Sequence, residues 1–283
     1  MICRLNVLFA AVFATLSLLP RPATAQDGAQ GQGAVQVDTA LVVSVDVSNS
    51  VDENRYRLQM EGIAAALEDP GVIEAITNGP NGGILFSMVT WADRPEFALP
   101  WVKIASKEDA QTVAAKIRKL PQAGGEFTCM TRMMRSVNDK IVSQIPGEAT
   151  RVVLDVSGDG PDNCNAEEPI QDVRDELVAN GVTVNGLPIN IGDPGEPVGE
   201  GAYRAPGSSF DSSQLKQSAE GPTTLEQWYR DNVMGGNGAF VLPANGYSDF
   251  GRAIRQKFVI EISGFGLPAA RSFGDAGTGK TSK

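Results

Sequence analysis

Three clusters of oxygen-bearing side chains could together hold a metal ion. The first is Asp46-Val47-Ser48-Asn49-Ser50, the second contains Thr128 shortly after Gly124-Gly125, and the third is Asp159-Gly160. Carboxylates and hydroxyls are hard ligands, which suit Mg²⁺ or Mn²⁺. The residue types therefore indicate an all-oxygen site for one of these cations, with the candidate ligands Asp46, Ser48, Ser50, Thr128 and Asp159.

The composition excludes several other chemistries. The 283 residues include no His, which excludes Ser-His-Asp and Cys-His catalysis and His-ligated zinc. The three Cys are too few to favour zinc or copper. The net charge of −10 has the wrong sign for a surface that binds phosphate backbones. Nucleic acid is therefore not an expected partner.

Buried strands are expected to position the first and third clusters. The apolar run Ala40–Val45 ends directly at Asp46, and the run Arg151–Val156 is followed closely by Asp159. Continuous apolar runs are typical of strands buried on both faces of a parallel sheet. Ligands bind at the carboxyl ends of such strands. We therefore expect Asp46 and Asp159 at the same edge of one sheet.

The rest of the chain alternates between strand-like and helix-like patterns. Further strands are expected at Ile84–Trp91, Phe97–Ile104, Val182–Ile191 and Ala239–Leu242. Helices are expected at about Asp52–Glu68, Ser106–Leu120, Met130–Gln144, Glu167–Asn180, Leu225–Met234 and Tyr247–Ile262. This alternation predicts a three-layer, Rossmann-like α/β domain over residues 38–264, with a mostly parallel sheet and helices on both faces.

The termini have compositions that differ from this domain. Arg4, the apolar stretch Leu5–Leu19 and Ala23-Thr24-Ala25 fit a signal peptide over residues 1–25, with an uncleaved anchor as the alternative. The apolar stretch is short for a membrane span, and none is expected after cleavage. Residues 26–37 have the composition of a flexible linker, and residues 265–283 that of a disordered tail. A periplasmic or secreted protein of the bacterial envelope is therefore expected.

The order Asp-x-Ser-x-Ser, a later Thr and a later Asp-Gly on an α/β frame resembles a von Willebrand factor A domain with a metal-ion-dependent adhesion site. The resemblance covers residues 38–264 and implies that the five candidate residues are the ligands, some through water. It implies a non-catalytic module whose metal takes an exposed carboxylate of a protein or peptide. The segments Asp155–Pro161 and Val184–Ile189 also resemble an exported bacterial subgroup of A-like domains with no assigned function.

Several candidate ligands have competing interpretations. Asp46 or Ser48 could instead cap the following helix, because both residue types accept its free N–H groups. Thr131 is an alternative to Thr128, which could itself cap the helix beginning at Met130. Asp155 is an alternative to Asp159, although its place inside a strand favours an internal partner.

The implied site also predicts a disulfide. It brings the loops that carry Cys129 and Cys164 to one face, while Cys3 is removed with the signal peptide. Disulfides persist in oxidising compartments, so these two residues are expected to be bonded. Two unpaired thiols are the alternative.

The irregular insertion 192–223 follows a strand that we expect to be parallel, which would place the insertion on the metal-bearing face. Tyr203, Arg204 and Phe210 are its candidate partner contacts, because aromatic residues and Arg dominate interface hot spots. An ordinary disordered loop is the alternative interpretation.

Other functions are conceivable from the sequence. A metal-assisted hydrolase could use Asp46 and Asp159 around Mg²⁺, but the sequence offers no obvious base. A solute-binding protein would need two similar lobes, and only one is indicated. The segment 274–281 matches a phosphate-loop pattern, but that loop must lie between a strand and a helix, and only two residues follow it. No nucleotide is therefore expected.

Overall fold

A computed structural model describes residues 35–164, 168–195, 197–198 and 223–264. The expected signal peptide, most of the linker, most of the insertion and the tail therefore lie outside the described residues. So do the three candidate partner contacts, Tyr203, Arg204 and Phe210. Among the residues that are described, no helix combines the length and apolar character needed to cross a membrane.

The described residues form strands with the bounds β1 Val35–Asp46, β2 Ile84–Trp91, β3 Pro95–Ile104, β4 Gly147–Gly158, β5 Val182–Pro188, β6 Pro197–Val198 and β7 Thr223–Thr224. The centre of the domain is a five-stranded sheet with the strand order β3-β2-β1-β4-β5. β1 pairs in parallel with β2 and β4, β4 pairs in parallel with β5, and β3 is antiparallel to β2. A separate antiparallel pair is formed by β6 and β7.

Helices cover both faces of the sheet, which confirms the predicted three-layer α/β architecture. The helices are α1 Glu53–Glu68, α2 Pro70–Thr77, α3 Lys107–Ile117, α4 Met130–Ser136, α5 Ile170–Ala179, α6 Leu225–Asn232 and α7 Phe250–Ser263. A π-helical turn, Val137–Ile141, and a 3₁₀ turn, Val142–Gln144, extend α4, and a 3₁₀ turn, Tyr247–Asp249, precedes α7.

Two hydrophobic cores hold the layers together. On one face α1, α2, α3 and α7 pack against side chains such as Leu41 and Phe86. On the other face α4, α5 and α6 pack against Trp91, Leu154 and Val184. Each strand of the parallel sheet therefore contributes apolar side chains in both directions, as its continuous apolar sequence predicts.

The first strand begins earlier than predicted, inside the stretch assigned to the linker. Val35 and Gln36 pair with Gly147 and Glu148 of β4. The first residues of β1 include polar ones, so no continuous apolar run marks this part of the strand in the sequence. One of them, Asp38, is buried and accepts hydrogen bonds from the backbone and side-chain amides of Asn81.

The predicted strand Ala239–Leu242 is wrong as a strand. This segment makes a single isolated parallel bridge with β5, from Gly186 to Val241, and a second isolated bridge joins Ile189 to Ala244 just beyond both segments. Two local features explain the missing ladder. The N–H of Phe240 donates to the Asn185 side chain at 3.0 Å, and Pro243 has no N–H to donate.

The short helix α2 was not predicted. It is only eight residues long and follows α1 directly. Its start has a clear cause, because Asp69 accepts hydrogen bonds from the N–H groups of Gly71 and Val72, and Pro70 is the first helical residue.

Candidate metal centre

The last residue of β1, Asp46, lies at the centre of the predicted site and is fully buried. Its Oδ1 accepts a hydrogen bond from the N–H of Ser48 at 2.8 Å. Its Oδ2 is buried and has no hydrogen-bond partner among the described residues. A buried carboxylate oxygen without a partner is costly. Asp46 therefore has one acceptor atom, Oδ2, without a partner among the described residues in the middle of the candidate site.

Hydroxyl groups connect Asp46 to the other two clusters. The Oγ of Ser48 lies 3.3 Å from Ser50 Oγ, and Thr128 Oγ1 lies 3.4 Å from Ser48 Oγ. The Ser50 hydroxyl donates to Asp159 Oδ1 at 2.7 Å. The structure thus brings together all five of the residues that the sequence singles out.

Backbone pairing explains how these loops meet. Asp46 ends β1, and Asp159 directly follows the end of β4, its parallel neighbour. Ser48 also forms an isolated parallel bridge with Gly125, in the loop that leads to Thr128. All three loops are therefore fixed at the carboxyl edge of the sheet, where α/β folds bind ligands.

Burial and the nearby Asp159 charge raise the pKa of Asp46 to about 7, although hydrogen bonds from Ser48 act in the opposite direction. Burial disfavours the charged form of a carboxyl group, and a second negative charge disfavours it further. A bound cation would favour the ionised carboxylate and so offset the effects of both burial and the Asp159 charge.

Tyr247, just before α7, is a member of the site that sequence reasoning missed. Its hydroxyl donates to Asp159 Oδ2 at 2.9 Å, so both oxygens of Asp159 accept hydrogen bonds. Burial, followed by the charge of Asp159, raises the pKa of Tyr247, which keeps its hydroxyl protonated as a donor. Arg55 lies over the Tyr247 ring, with its guanidinium carbon 5.4 Å from the ring centroid, and donates to the carbonyl of Ser50.

The rival ligands have other partners. The hydroxyl and the N–H of Thr131 both donate to Asp162 Oδ2. Asp155 is fully buried within β4 and lies 3.3 Å from Lys257 Nζ on α7. The geometry therefore places Thr128 and Asp159, rather than Thr131 and Asp155, in the cluster.

The structure also tests whether Asp46, Ser48 or Thr128 caps a helix. Asp52 caps α1 by accepting from the N–H of Arg55 at 2.8 Å, so neither Asp46 nor Ser48 is needed for that role. Cys129 precedes α4 and makes no side-chain cap. The N–H of Thr131 in the first turn of α4 donates to Asp162, and the Thr128 hydroxyl contacts Ser48.

A disulfide joins Cys129 to Cys164, as predicted, with their Cα atoms 5.1 Å apart. Hydrogen bonds between Thr128 and Asn163 reinforce it. The N–H of Asn163 donates to the Thr128 carbonyl at 3.1 Å, and the Thr128 N–H donates to Asn163 Oδ1 at 2.8 Å. The loop containing Thr128 is thus fastened to the loop that follows Asp159.

The donor set fits a hard divalent cation. Within the described ranges, no group of three His, Cys, Asp or Glu side chains could hold a metal ion. The site instead combines two carboxylates with three hydroxyls, and the unpartnered Asp46 Oδ2 lies among them. Mg²⁺ and Mn²⁺ prefer such oxygen ligands.

A protein family described as "Protein of unknown function (DUF1194)" matches residues 36–266 of the chain. A comparison with curated proteins finds no match. This match includes the whole of the predicted domain, residues 38–264, and therefore all five candidate ligands.

Several solved structures share the fold. Proximal thread matrix protein 1 from the mussel byssus has 16% identity and a TM-score of 0.54 over 81% of this chain and 49% of that chain. A structure of the same mussel protein with a zinc-occupied MIDAS motif has 21% identity and a TM-score of 0.51, with the same coverage.

A von Willebrand factor type A structure from Catenulispora acidiphila has 14% identity and a TM-score of 0.50, over 80% of this chain and 43% of that chain. The chain thus spans about half the length, or less, of these three solved chains. At these identities the likeness shows the fold, which is that of a von Willebrand factor A domain.

Proposed function

The chain belongs to the DUF1194 family, and from that premise we propose that it is a non-catalytic, metal-dependent binding module. In this proposal the metal site recognises an acidic group of a protein or peptide. The observation that carries the proposal is the buried Asp46 Oδ2, which has no partner within the described structure and lies among four other oxygen-bearing residues.

The five candidate residues would hold Mg²⁺ or Mn²⁺. When bound, such an ion supplies positive charge and a coordination position for an acidic oxygen. The zinc-occupied motif named for the mussel protein supports a divalent ion at this kind of site. In the present chain the five donors are all oxygen atoms, which favours magnesium or manganese over zinc.

The chain's own hydrogen bonds orient these donors. Ser48 fixes one oxygen of Asp46, while Ser50 and Tyr247 each donate to a different oxygen of Asp159. Groups that are oriented before binding lose less conformational freedom when the ligand arrives. Arg55, which stacks on Tyr247, adds positive charge beside the site for an acidic partner.

An exported location is part of the same proposal. The Cys129–Cys164 disulfide is consistent with an oxidising compartment, and the amino-terminal sequence has the features of a signal peptide. We therefore propose that the protein works in the periplasm or outside the cell.

Thermal melting with Mg²⁺, Mn²⁺ or EDTA tests the metal site. A ligand that binds only the folded state adds about 2.7 kcal/mol of stability at a hundredfold excess over its Kd. We expect the melting temperature to rise with metal in the parent chain and not in Asp46→Ala. Asp69→Ala is the matched control, because Asp69 caps α2 away from the cluster. If Asp46→Ala responds like the parent, the site assignment is wrong.

Capture from an envelope extract, with Mg²⁺ and again with EDTA, tests the binding function. Capture of a protein that is lost with EDTA and in Asp46→Ala supports the proposal. Metal-dependent turnover of a small ester or phosphate that is lost in the same variant would instead support a hydrolase.

A further inference from the structure

Tyr229 of α6 lies against the sheet where two neighbouring strands carry glycine. A Cβ atom added to Gly186 of β5 would lie 2.7 Å from Cδ1 of the Tyr229 ring, and one added to Gly158 of β4 would lie 2.9 Å from its hydroxyl oxygen. Real Cβ atoms do not approach other atoms so closely. The two glycines therefore make room for this buried ring.

The Tyr229 hydroxyl is directed towards the candidate metal centre. The same added atom on Gly158 would lie 3.1 Å from Asp46 Oδ2, so the hydroxyl and this carboxylate oxygen both lie close to one point beside Gly158. Both atoms are buried, and neither has a hydrogen-bond partner among the described residues. A phenol can donate a hydrogen bond, and a carboxylate can accept one.

The two atoms are not hydrogen-bonded to each other. Because they lie 2.9 and 3.1 Å from the same point beside Gly158, they are at most 6.0 Å apart, a separation of the order that one bridging water spans. Buried waters typically satisfy polar groups that would otherwise lack partners, and bridges of this kind are nearly as favourable as direct hydrogen bonds. Burial, and after it the charge of Asp46, raises the pKa of Tyr229. The hydroxyl therefore keeps its proton and acts as the donor.

We propose that Tyr229 is a positioning residue for Asp46, to which it donates through one buried water. The water would hold Oδ2, while the N–H of Ser48 holds Oδ1 at 2.8 Å. Hydrogen bonds to both oxygens then fix the orientation of the Asp46 carboxylate, and the remaining lone pairs of these oxygens can bind a metal. This inference rests on the proposed metal-binding function and adds α6 to the elements that shape the site.

Outer groups that orient metal ligands typically change metal affinity by about 10- to 100-fold when they are removed. Titration calorimetry with Mn²⁺ should therefore show binding about tenfold weaker in Tyr229→Phe than in the parent chain. Tyr56→Phe is the matched control, because the Tyr56 hydroxyl donates to the carbonyls of Leu120 and Pro121 rather than to the cluster. It should bind Mn²⁺ like the parent.

A spectroscopic measurement separates positioning from general stability. The metal-free parent is labelled with fluorotyrosine, and its Tyr229 resonance should shift when Mg²⁺ is added. This resonance is assigned from its absence in Tyr229→Phe or, if that variant does not fold, in Tyr229→Leu. The Tyr56 resonance should not. If neither variant folds, the proposal requires one tyrosine resonance to shift with Mg²⁺ in addition to those of Tyr203 and Tyr247, which are assigned from Tyr203→Phe and Tyr247→Phe.

The outcomes distinguish the two proposals. Equal Mn²⁺ affinity in Tyr229→Phe and the parent, or a Tyr229 resonance that Mg²⁺ leaves unchanged, would overturn the positioning role and leave the metal site standing. If the parent itself binds neither ion, both the proposed function and this inference are wrong.

Discussion

At the scale of single residues, the burial of Asp46 makes the stability of the metal-free protein depend on pH. The carboxyl has a pKa of about 7 in the folded chain, compared with the ordinary value of 3.8 for an Asp side chain. The folded state therefore binds this proton more tightly than the unfolded state. The resulting stabilisation is complete below about pH 4 and is lost as the pH rises through about 7.

We expect the metal-free parent to melt at a lower temperature at about pH 8 than at about pH 5, because the stabilisation falls by about 1.4 kcal/mol per pH unit between the two pKa values. Asp46→Asn, which cannot ionise, should show a flatter pH dependence in EDTA. With saturating Mg²⁺ this pH dependence should largely disappear between about pH 5 and pH 8, because the metal binds the ionised carboxylate and keeps the folded state unprotonated at Asp46. The rise in melting temperature caused by metal should therefore be larger at the higher pH, and an equal rise at both pH values would contradict this account.

Some residues of the site can be recognised from the sequence, and others cannot. Asp46, Ser48 and Ser50 form a local motif, and Asp159 follows a recognisable strand. Tyr229 and Tyr247 reach the cluster from helical segments far along the chain, and no local spacing marks them. Gly158 and Gly186 lie in two segments that resemble a subgroup of A-like domains. Their packing role depends on the ring of Tyr229, which only the structure places against them.

At the scale of elements, the disulfide fastens the start of α4 to the loop after β4. Cys129 and Cys164 are separated by 35 positions, and Thr128 lies next to one end of the bridge. In the chain-entropy model, closing a loop of this size stabilises the fold by roughly 4 kcal/mol, and measured values are often smaller.

We expect the double variant Cys129→Ser/Cys164→Ser to unfold at a lower denaturant concentration than the oxidised parent. It should also bind Mn²⁺ more weakly, because Thr128 is then held less firmly. The parent measured in a reducing agent is the control and should behave like the variant. Identical denaturation midpoints for the oxidised parent and the variant would show that the bridge adds no stability.

Secondary structure was predictable where apolar spacing decides it, and less so where buried polar groups do. The predicted helix at about Asp52–Glu68 agrees with α1, whose buried face includes Tyr56 and Ile63. On α7, by contrast, Lys257 is fully buried, with its Nζ 3.1 Å from Glu261 and 3.3 Å from Asp155. A Lys in an amphipathic helix usually faces solvent, so its burial depends on carboxylates that only the fold brings near.

At the scale of the whole molecule, the insertion 192–223 begins shortly after a strand that ends beside the candidate metal centre. It follows β5, whose last residue, Pro188, pairs with Gly158 next to the candidate ligand Asp159. Both ends of the insertion are tied together, because Pro197 and Val198 pair with Thr224 and Thr223. Shortening the segment between these pairs therefore need not disturb the sheet.

We expect deletion of residues 200–213, which removes Tyr203, Arg204 and Phe210, to weaken capture of the partner. The metal-induced rise in melting temperature should remain, because none of the five candidate ligands is removed. A variant in which the same residues are replaced by Gly and Ser controls for the length of the segment and should also lose capture. Capture at the parent level by both variants would refute a role for this segment.

The β6–β7 pair also has a thermodynamic consequence. The cost of closing a flexible loop grows only logarithmically with its length, by about 0.6 kcal/mol for each doubling. Because Val198 pairs with Thr223, we expect residues added between these two positions to cost little folding stability. If the proposed binding function holds, exchange of this one segment would change the partner while the sheet and the metal site stay the same.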